Sequence, residues 1–183
     1  MGYEVALEKS WDDLVKAGLP KDNIVKFLGQ DYALDTKSRK VLFLSSGAAA
    51  NDFSSIIILH YLAVAAGGLP PLERRWVSFK ELAGVEGYTA AFRKRVIEPI
   101  LRKYGNNPEK LLGVLEKLPG KKALEGDVGV VIEVFQSLPV LILLWRSDAE
   151  FGPEANMLFD ESIKQIFCAE DIVVLAGMIA GAL

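Results

Sequence analysis

The chain has 183 residues, of which 51% are hydrophobic and 25% charged, and its formal net charge is −3. This composition is that of an ordinary globular protein, and it excludes an intrinsically disordered or collagen-like chain. The slightly acidic balance gives no general attraction to nucleic acid, so no nucleic-acid partner is expected. A chain of this length buries enough surface to fold alone, and we predict a single globular domain over residues 1–183.

Several features predict a cytoplasmic protein with no membrane partner. Cys168 is the only cysteine, which excludes an internal disulfide and a cysteine-based metal centre. The first residues carry acids from Glu4 onward and lack the apolar segment of a signal peptide. The two most apolar stretches, "SIIILHYLAVAAGG" and "IVVLAGMIAGAL", are shorter than the roughly 20 residues that cross a bilayer.

The first 66 residues alternate helical and extended patterns. Apolar residues at helical spacing predict an amphipathic helix from Tyr3 to Ala17. The stretch "IVKFLGQDYALDTKSRKVLFLS" then predicts two or three antiparallel strands, with a bulge or bend at Gly29. Asn51 or Asp52 caps a second helix that continues to about residue 66.

The middle of the chain is predicted to be helical but interrupted. A strand-like "RWV" precedes a capping box formed by Ser78 and Glu81, where a short helix begins. A longer helix follows over residues 88–104, and Pro99 should kink or restart it. Another helix opens at Asn107 and Pro108 and continues to residue 118.

Extended patterns return in the last third of the chain. "VGVVIEVF" and "VLILLW" predict a hairpin whose second strand is central, because it is apolar on both faces. The stretch after it predicts an acidic loop turned by Gly152 and Pro153, then a short helix with a Ser162–Gln165 box and a terminal helix from about Glu170. This element order indicates an α+β fold with an antiparallel sheet of about four to six strands packed with helices.

The acidic residues after the central strand form the main candidate site. If Asp127 precedes one hairpin strand and Asp148 follows the other, both lie at the same end of the sheet. Neighbouring carboxylates can serve as acid and base or chelate a hard cation. Asp160 is better explained as a helix cap, whereas no cap or turn rule requires Asp148 or Glu150.

Other reactive residues have simpler explanations. His60 is the only histidine and lies within an apolar helical pattern, which predicts a buried side chain with a backbone or side-chain hydrogen-bonding partner. Cys168 follows Phe167 and is predicted to be a packed thiol. Small residues spaced four apart in the last helix, from Ala176 to Gly181, predict close packing within the chain, with a homodimer as the alternative.

The chain resembles domain-of-unknown-function family 3786, a family of uncharacterised prokaryotic proteins, from Trp11 to Asp171. The resemblance is carried by "FLGQDYALD", "LHYL", "RWVSFKELAG", "YTAAF", "GDVGVVIEVFQSLPVLILLW" and "AEFGPEANMLFD…AED". Its most specific positions are Asp127, Pro139, Trp145, Asp148, Glu150, Phe151, Leu158, Phe159, Asp160, Glu170 and Asp171.

This resemblance implies a metabolic context for the protein, but no reaction mechanism. Many members of the family carry an N-terminal cysteine-rich iron–sulfur segment, and the family is associated with anaerobic corrinoid and methyl-transfer metabolism. The present chain lacks the cysteine cluster, and Gly152 stands between Phe151 and Pro153 where the family usually has proline directly. The resemblance therefore implies neither a catalytic residue nor a cofactor for this chain.

Two functions remain open. The first is a non-enzymatic accessory module that binds a partner protein, a cofactor or another small molecule. The second is a small metal-assisted or acid/base enzyme that uses Asp127, Asp148 and Glu150. The candidate site comprises Asp127, Trp145, Arg146, Asp148, Glu150, Phe151 and Phe159.

Overall fold

Two N-terminal helices form a pair at one side of the computed structural model, which describes residues 2–183. Helix α1 covers Gly2–Ala17 and helix α2 covers Asp52–Ala66. The Asn51 side chain caps α2 by accepting a hydrogen bond from the Ser54 amide at 2.9 Å. Both predicted helices are confirmed, and none of the described helices is both long and apolar enough to span a membrane.

A small antiparallel sheet separates these helices in the chain. Its strands are β1 (Ile24–Phe27), β2 (Gln30–Asp35) and β3 (Lys40–Phe43), in the order β1-β2-β3. The predicted bend at Gly29 is the turn between β1 and β2, where Gly29 has φ +75° and Leu28 has φ +47°. The Leu28 amide donates to the Val134 carbonyl at 2.9 Å, which attaches this turn to the large sheet.

The large sheet has five antiparallel strands in the order β4-β8-β7-β6-β5. The predicted hairpin is present at its centre, where a two-residue turn joins β6 to β7. The strands are β4 (Trp76–Ser78), β5 (Gly120–Ala123), β6 (Val128–Phe135), β7 (Leu138–Trp145) and β8 (Glu154–Asp160). The two antiparallel sheets and the surrounding helices confirm the α+β fold.

One prediction about this sheet is wrong. The sequence predicts a loop from the end of β7 directly to a short helix, but the second part of this stretch, Glu154–Asp160, forms β8. Strand β8 pairs with β7 from Val140↔Phe159 to Trp145↔Glu154. The expectation failed because Gly152 and Pro153 signal a turn, and that turn is the β7–β8 connection rather than the approach to a helix.

The middle helical region is broken into short pieces, as Pro99 predicts. A π-helical turn at Arg93–Ile97 precedes Pro99, and its wider backbone makes room for a residue that cannot donate a backbone hydrogen bond. The successive pieces are 3₁₀ turns at Phe79–Glu81 and Glu86–Tyr88, helix α3 (Thr89–Phe92), the π turn, helix α4 (Glu98–Tyr104) and a 3₁₀ helix at Pro108–Glu116.

The chain ends in a 3₁₀ helix at Glu161–Gln165 and helix α5 at Ala169–Ala182. The predicted Ser162–Gln165 capping box is wrong, because Asp160 caps this 3₁₀ helix by accepting from the Ser162 amide at 3.1 Å. In α5, Ala176 and Ala180 are buried in the core, whereas a Cβ atom built on Gly177 or Gly181 meets no atom within 4 Å, so close packing within the chain is confirmed for the two alanines only.

The helices cover one face of the large sheet only. On that face the side chains of β6, β7 and β8 join those of α2, α4 and α5 in one continuous apolar core. Aromatic rings form its centre, with Phe135 stacked on Tyr61 at 4.1 Å and on Phe27 at 4.5 Å between ring centroids. The opposite face of the sheet is left without a covering helix.

Candidate functional site

We call the surface opposite the helices the open face of the large sheet. Because successive side chains of a strand point to opposite sides, every second residue of each strand lies on this face. The register aligns Leu158, Leu141 and Val131 across three neighbouring strands. A second apolar cluster, separate from the core, consists of Ala123, Leu141 and Leu143 with Trp76, Val131, Trp145 and Leu158 packed around them.

Two leucines at the centre of the open face are buried without any helix above them. Leu141 is 1% exposed and Leu143 is 5% exposed. Leu143 lies over Gly129, where an added Cβ atom would approach the Leu143 side chain to 2.9 Å. Trp76 and Trp145 are only half-buried beside them, so the aromatic rings of this cluster retain surface that a ligand can cover.

The two ends of the open face differ in shape and charge. Near the β6–β7 turn lies a cavity of about 890 Å³, whose lining includes Trp76 and Pro139. At the opposite end a smaller depression of about 330 Å³ is lined by Trp145, Asp148 and Phe151, among others. We refer to this second end as the acidic edge.

The acidic edge brings Asp127 and Arg146 together. One Asp127 carboxylate oxygen accepts from the Arg146 amide at 2.7 Å, and the other lies 3.8 Å from the Arg146 guanidinium. Asp127 is therefore at the end of β7, as the hairpin predicted. The guanidinium also binds Glu109, and this hydrogen bond raises the pKa of Arg146 and lowers the pKa of Glu109.

Asp148 shapes the loop at this edge. Its carboxylate accepts from the amides of Glu150 at 2.8 Å and Phe151 at 2.7 Å, and its own amide donates to the Phe151 carbonyl at 2.9 Å. These backbone hydrogen bonds lower the pKa of Asp148. The expectation that no turn rule requires Asp148 is therefore wrong, whereas Glu150 is exposed in this turn.

The aromatic candidates fall into two groups. Phe151 is 66% exposed and Trp145 is half-buried, so both are accessible to a ligand. Phe159 is 0% exposed because β8 directs it into the main core, 6.4 Å from the Phe92 ring. Phe159 therefore does not contribute to the surface with which it was grouped.

The carboxylates of the acidic edge do not converge on one point. Across residues 2–183, no three His, Cys, Asp or Glu side chains lie in an arrangement suited to hold a metal ion. Asp127 and Asp148 direct carboxylate oxygens at backbone amides instead.

A hydrogen-bonded chain of Ser10, His60 and Asp171 links α1, α2 and α5. His60 Nε2 lies 2.9 Å from Ser10 Oγ, and Nδ1 lies 2.9 Å from a carboxylate oxygen of Asp171. These residue types occur in hydrolase triads, but Ser10 is 1% exposed and also donates to the Ala6 carbonyl, so a substrate cannot reach its hydroxyl. These hydrogen bonds hold three helices together and confirm that His60 has side-chain partners. The prediction that His60 is buried is wrong, because its side chain is 33% exposed.

Sequence reasoning missed both the chain of hydrogen bonds and the cavity. The partners of His60 are 50 and 111 residues away in the chain, so no local spacing could reveal them. The cavity gathers residues from the segment before β4, from β5 and from the β6–β7 turn. The one sequence signal of an aromatic surface is a tryptophan at the end of a strand in two places, Trp76 at the start of β4 and Trp145 at the end of β7.

Comparisons with known proteins give one match. The family model described as a domain of unknown function (DUF3786) matches residues 14–182, nearly the whole chain. No curated protein matches the chain, and no solved structure does so either.

Proposed function

The chain belongs to the DUF3786 family of domains of unknown function, and we propose that it is a non-enzymatic binding module. Its binding surface is the open face, and its ligand is a partner protein or a small molecule. The observation that carries the proposal is the apolar cluster around Leu141 and Leu143, bordered by Trp76 and Trp145, which no helix covers. A contiguous apolar patch with a polar rim is typical of binding surfaces.

The residue types on the open face are those typical of a binding surface. Tryptophan contributes large contact area with few rotatable bonds, and it is enriched among the residues that dominate binding energy. The acidic edge supplies charged groups beside the apolar centre, including the exposed Glu150 and the Asp127–Arg146 pair. A polar rim around an apolar centre is the usual anatomy of an interface.

The alternative is a small metal-assisted or acid/base enzyme that uses Asp127, Asp148 and Glu150. This alternative has less support, because a carboxylate that already accepts backbone hydrogen bonds is less free to bind a metal or transfer a proton. We therefore propose a supporting role for Asp127 and Asp148 in shaping the edge of the binding surface.

We further propose that the module works in the cytoplasm. Cys168 is exposed just before α5, so the prediction that it is a packed thiol is wrong. A single exposed cysteine is compatible with a reducing compartment, where thiols stay free. The anaerobic corrinoid and methyl-transfer setting implied by the family resemblance is the first place to search for the partner.

The proposal is tested by native mass spectrometry of the protein purified from its own host. Wild-type protein should retain a partner or ligand, whereas Trp145→Ala should lose it because the variant removes an aromatic border of the open face. Leu44→Ala is the matched control, since Leu44 is a 50% exposed apolar residue just after β3. Retention of the same bound species by Trp145→Ala would contradict the proposal, provided that circular dichroism shows a folded variant.

A further inference from the structure

The open face is a trough with an apolar floor. The aligned side chains of Val131, Leu141 and Leu158 form this floor. The cavity of about 890 Å³ is lined from both outer strands of the sheet, by Trp76 on β4 and by Lys121 on β5. Because four strand spacings of about 4.8 Å separate β4 from β5, a cavity that reaches both strands lies in a hollow about 19 Å across.

Exposed apolar side chains border this trough. Leu72 lies before β4 and is 41% exposed, whereas Leu124 follows β5 and is 94% exposed. Both leucines line the same cavity as Trp76. At the acidic edge, Phe151 is a third exposed apolar side chain, 66% accessible to solvent. Side chains this exposed gain from a partner that covers them, since burying apolar surface is favourable.

The size of the trough favours a protein partner over a small molecule. Strand β7 runs along it from the cavity to the acidic edge, and its eight residues extend about 27 Å. A surface of about 19 by 27 Å covers on the order of 500 Å². Counted on both partners this is about 1,000 Å², the area at which a specific protein interface begins.

The hollow shape favours a convex partner. Two copies of this face placed together would enclose a void between their hollows, and atoms that line a void lose their packing contacts. An extended peptide would bind at a strand edge instead of a face, because its backbone needs hydrogen bonds. An α-helix is a rod about 10–12 Å in diameter, so it fits between the outer strands.

Unpaired charges of both signs border the apolar floor. Lys121 on β5 and Glu154 on β8 are exposed, and the strand register places both on the open face. Throughout the described part of the chain, no oppositely charged side chain lies within 4.0 Å of either one. A complementary helix therefore carries an apolar stripe, with an acidic residue facing Lys121 and a basic residue facing Glu154.

We infer that an amphipathic α-helix of a partner protein lies along β7 in this trough. About 18 residues of helix, at 1.5 Å each, match the length of β7. The apolar stripe, at positions i, i+3, i+4 and i+7, packs on Val131 and Leu158 at the centre and on Trp76 and Trp145 toward the two ends. This inference rests on the proposed function and names the kind of partner that the open face binds.

Photocross-linking from two exposed positions of the trough tests the inference. Benzoylphenylalanine replaces Lys121 in one variant and Glu154 in another, and each variant is expressed and irradiated in its own host. Mass spectrometry then identifies the cross-linked residues of the partner. Both variants should cross-link to one continuous segment of one protein, at residues three or four apart, which is the repeat of a helix face. Benzoylphenylalanine at Lys40, exposed on β3, is the matched control and should not reach that segment.

A synthetic peptide of the cross-linked segment supplies the affinity measurement. The peptide should bind wild-type protein saturably and gain helical circular dichroism on binding. Trp76→Ala should raise its Kd by at least about tenfold, because tryptophan dominates many interfaces. Lys121→Glu should raise the Kd about two- to fivefold, whereas the control Lys40→Glu should leave it unchanged. Thermal melting of each variant checks that it is folded.

The outcomes that overturn the inference separate it from the proposed function. Cross-linked residues two apart or scattered over several segments, or a bound peptide that gains no helix, would refute the helix and leave the open face as a binding surface. A cross-link to a small molecule or to a second copy of this chain would do the same. Absence of any cross-link from both Lys121 and Glu154 would refute the inference and count against the proposed function as well.

Discussion

Asp160 should contribute substantially to stability, because a buried carboxylate there joins the end of β8 to the segment before β4. One of its oxygens accepts from the amides of Glu73 and Ser162, and the other accepts from the Arg74 amide. In Asp160→Asn the single amide oxygen can keep the first pair, but the NH₂ group would face the Arg74 amide. The lost charged hydrogen bond and the amide left without an acceptor should together cost about 2–4 kcal/mol.

The same contribution should depend on pH with a definite sign. Burial raises the pKa of Asp160, but the hydrogen bonds from the amides of Ser162, Glu73 and Arg74 outweigh it and hold the pKa below its ordinary value. A depressed folded-state pKa stabilises the protein above the unfolded pKa of about 3.9, and this stability is lost as the pH falls through the folded-state value. The difference between wild type and Asp160→Asn should therefore shrink below about pH 4.

Urea denaturation at neutral pH and at about pH 3 measures both effects. Asp22→Asn is the control, because it removes the same charge from an exposed position. A difference between wild type and Asp160→Asn smaller than about 0.5 kcal/mol, within the range of an ordinary surface substitution, would refute the reasoning. So would a difference of the same size at both pH values.

Three further predictions follow from individual contacts. Burial, with a smaller contribution from Glu133, raises the pKa of Tyr61 to about 12; stability should therefore fall as the pH rises from about 10 to 12, and denaturation of Tyr61→Phe should lack this component. Gly177→Ala should raise the free energy of unfolding by about 0.5–1 kcal/mol, because an added Cβ meets no atom within 4 Å. If urea denaturation shows instead that the free energy of unfolding falls, a second surface packs against this position. Millimolar Mg²⁺ or Ca²⁺ should give no heat in calorimetry and no change in Tm; a saturable heat that disappears in Asp148→Asn with Glu150→Gln would favour the enzyme.

Local signals in the sequence predicted most of the helices and the central hairpin correctly. Asn51 caps α2 and Pro99 restarts a helix because both effects act within one turn of the residue concerned. The β6–β7 hairpin was predictable for a similar reason, since two apolar runs separated by a short turn pair with each other. Such features need no knowledge of the rest of the fold.

Strand β8 shows where local signals fail. Ala155, Met157 and Phe159 alternate as a strand requires, but Glu154, Asn156 and Asp160 are poor strand formers, and Gly152 with Pro153 predicts a loop. Pairing with β7 overrides these weak preferences, because the backbone amides and carbonyls of β7 on the side away from β6 need hydrogen-bonding partners and β8 supplies them. Because β8 was not predicted, Phe159 was proposed as a ligand contact, although it is a residue of the main core.

The candidate site was predicted in part for the same reason. Asp127 and Trp145 were placed correctly at one end of the sheet, because the hairpin register determines both positions. Trp76 and Lys121 come from the two outer strands of the large sheet, β4 and β5. Their proximity to the same cavity depends on strand order, which residue spacing does not reveal.

The central claim, that the open face is the binding surface, is tested most directly by hydroxyl-radical footprinting of the complex isolated from the host. Bound and free protein are compared by the oxidation rate of individual side chains. The account predicts that Trp76, Trp145 and Leu158 are protected in the complex, whereas Tyr3 and Phe53, an exposed aromatic pair on α1 and α2, react equally in both. Unchanged oxidation of both tryptophans in the complex would contradict it.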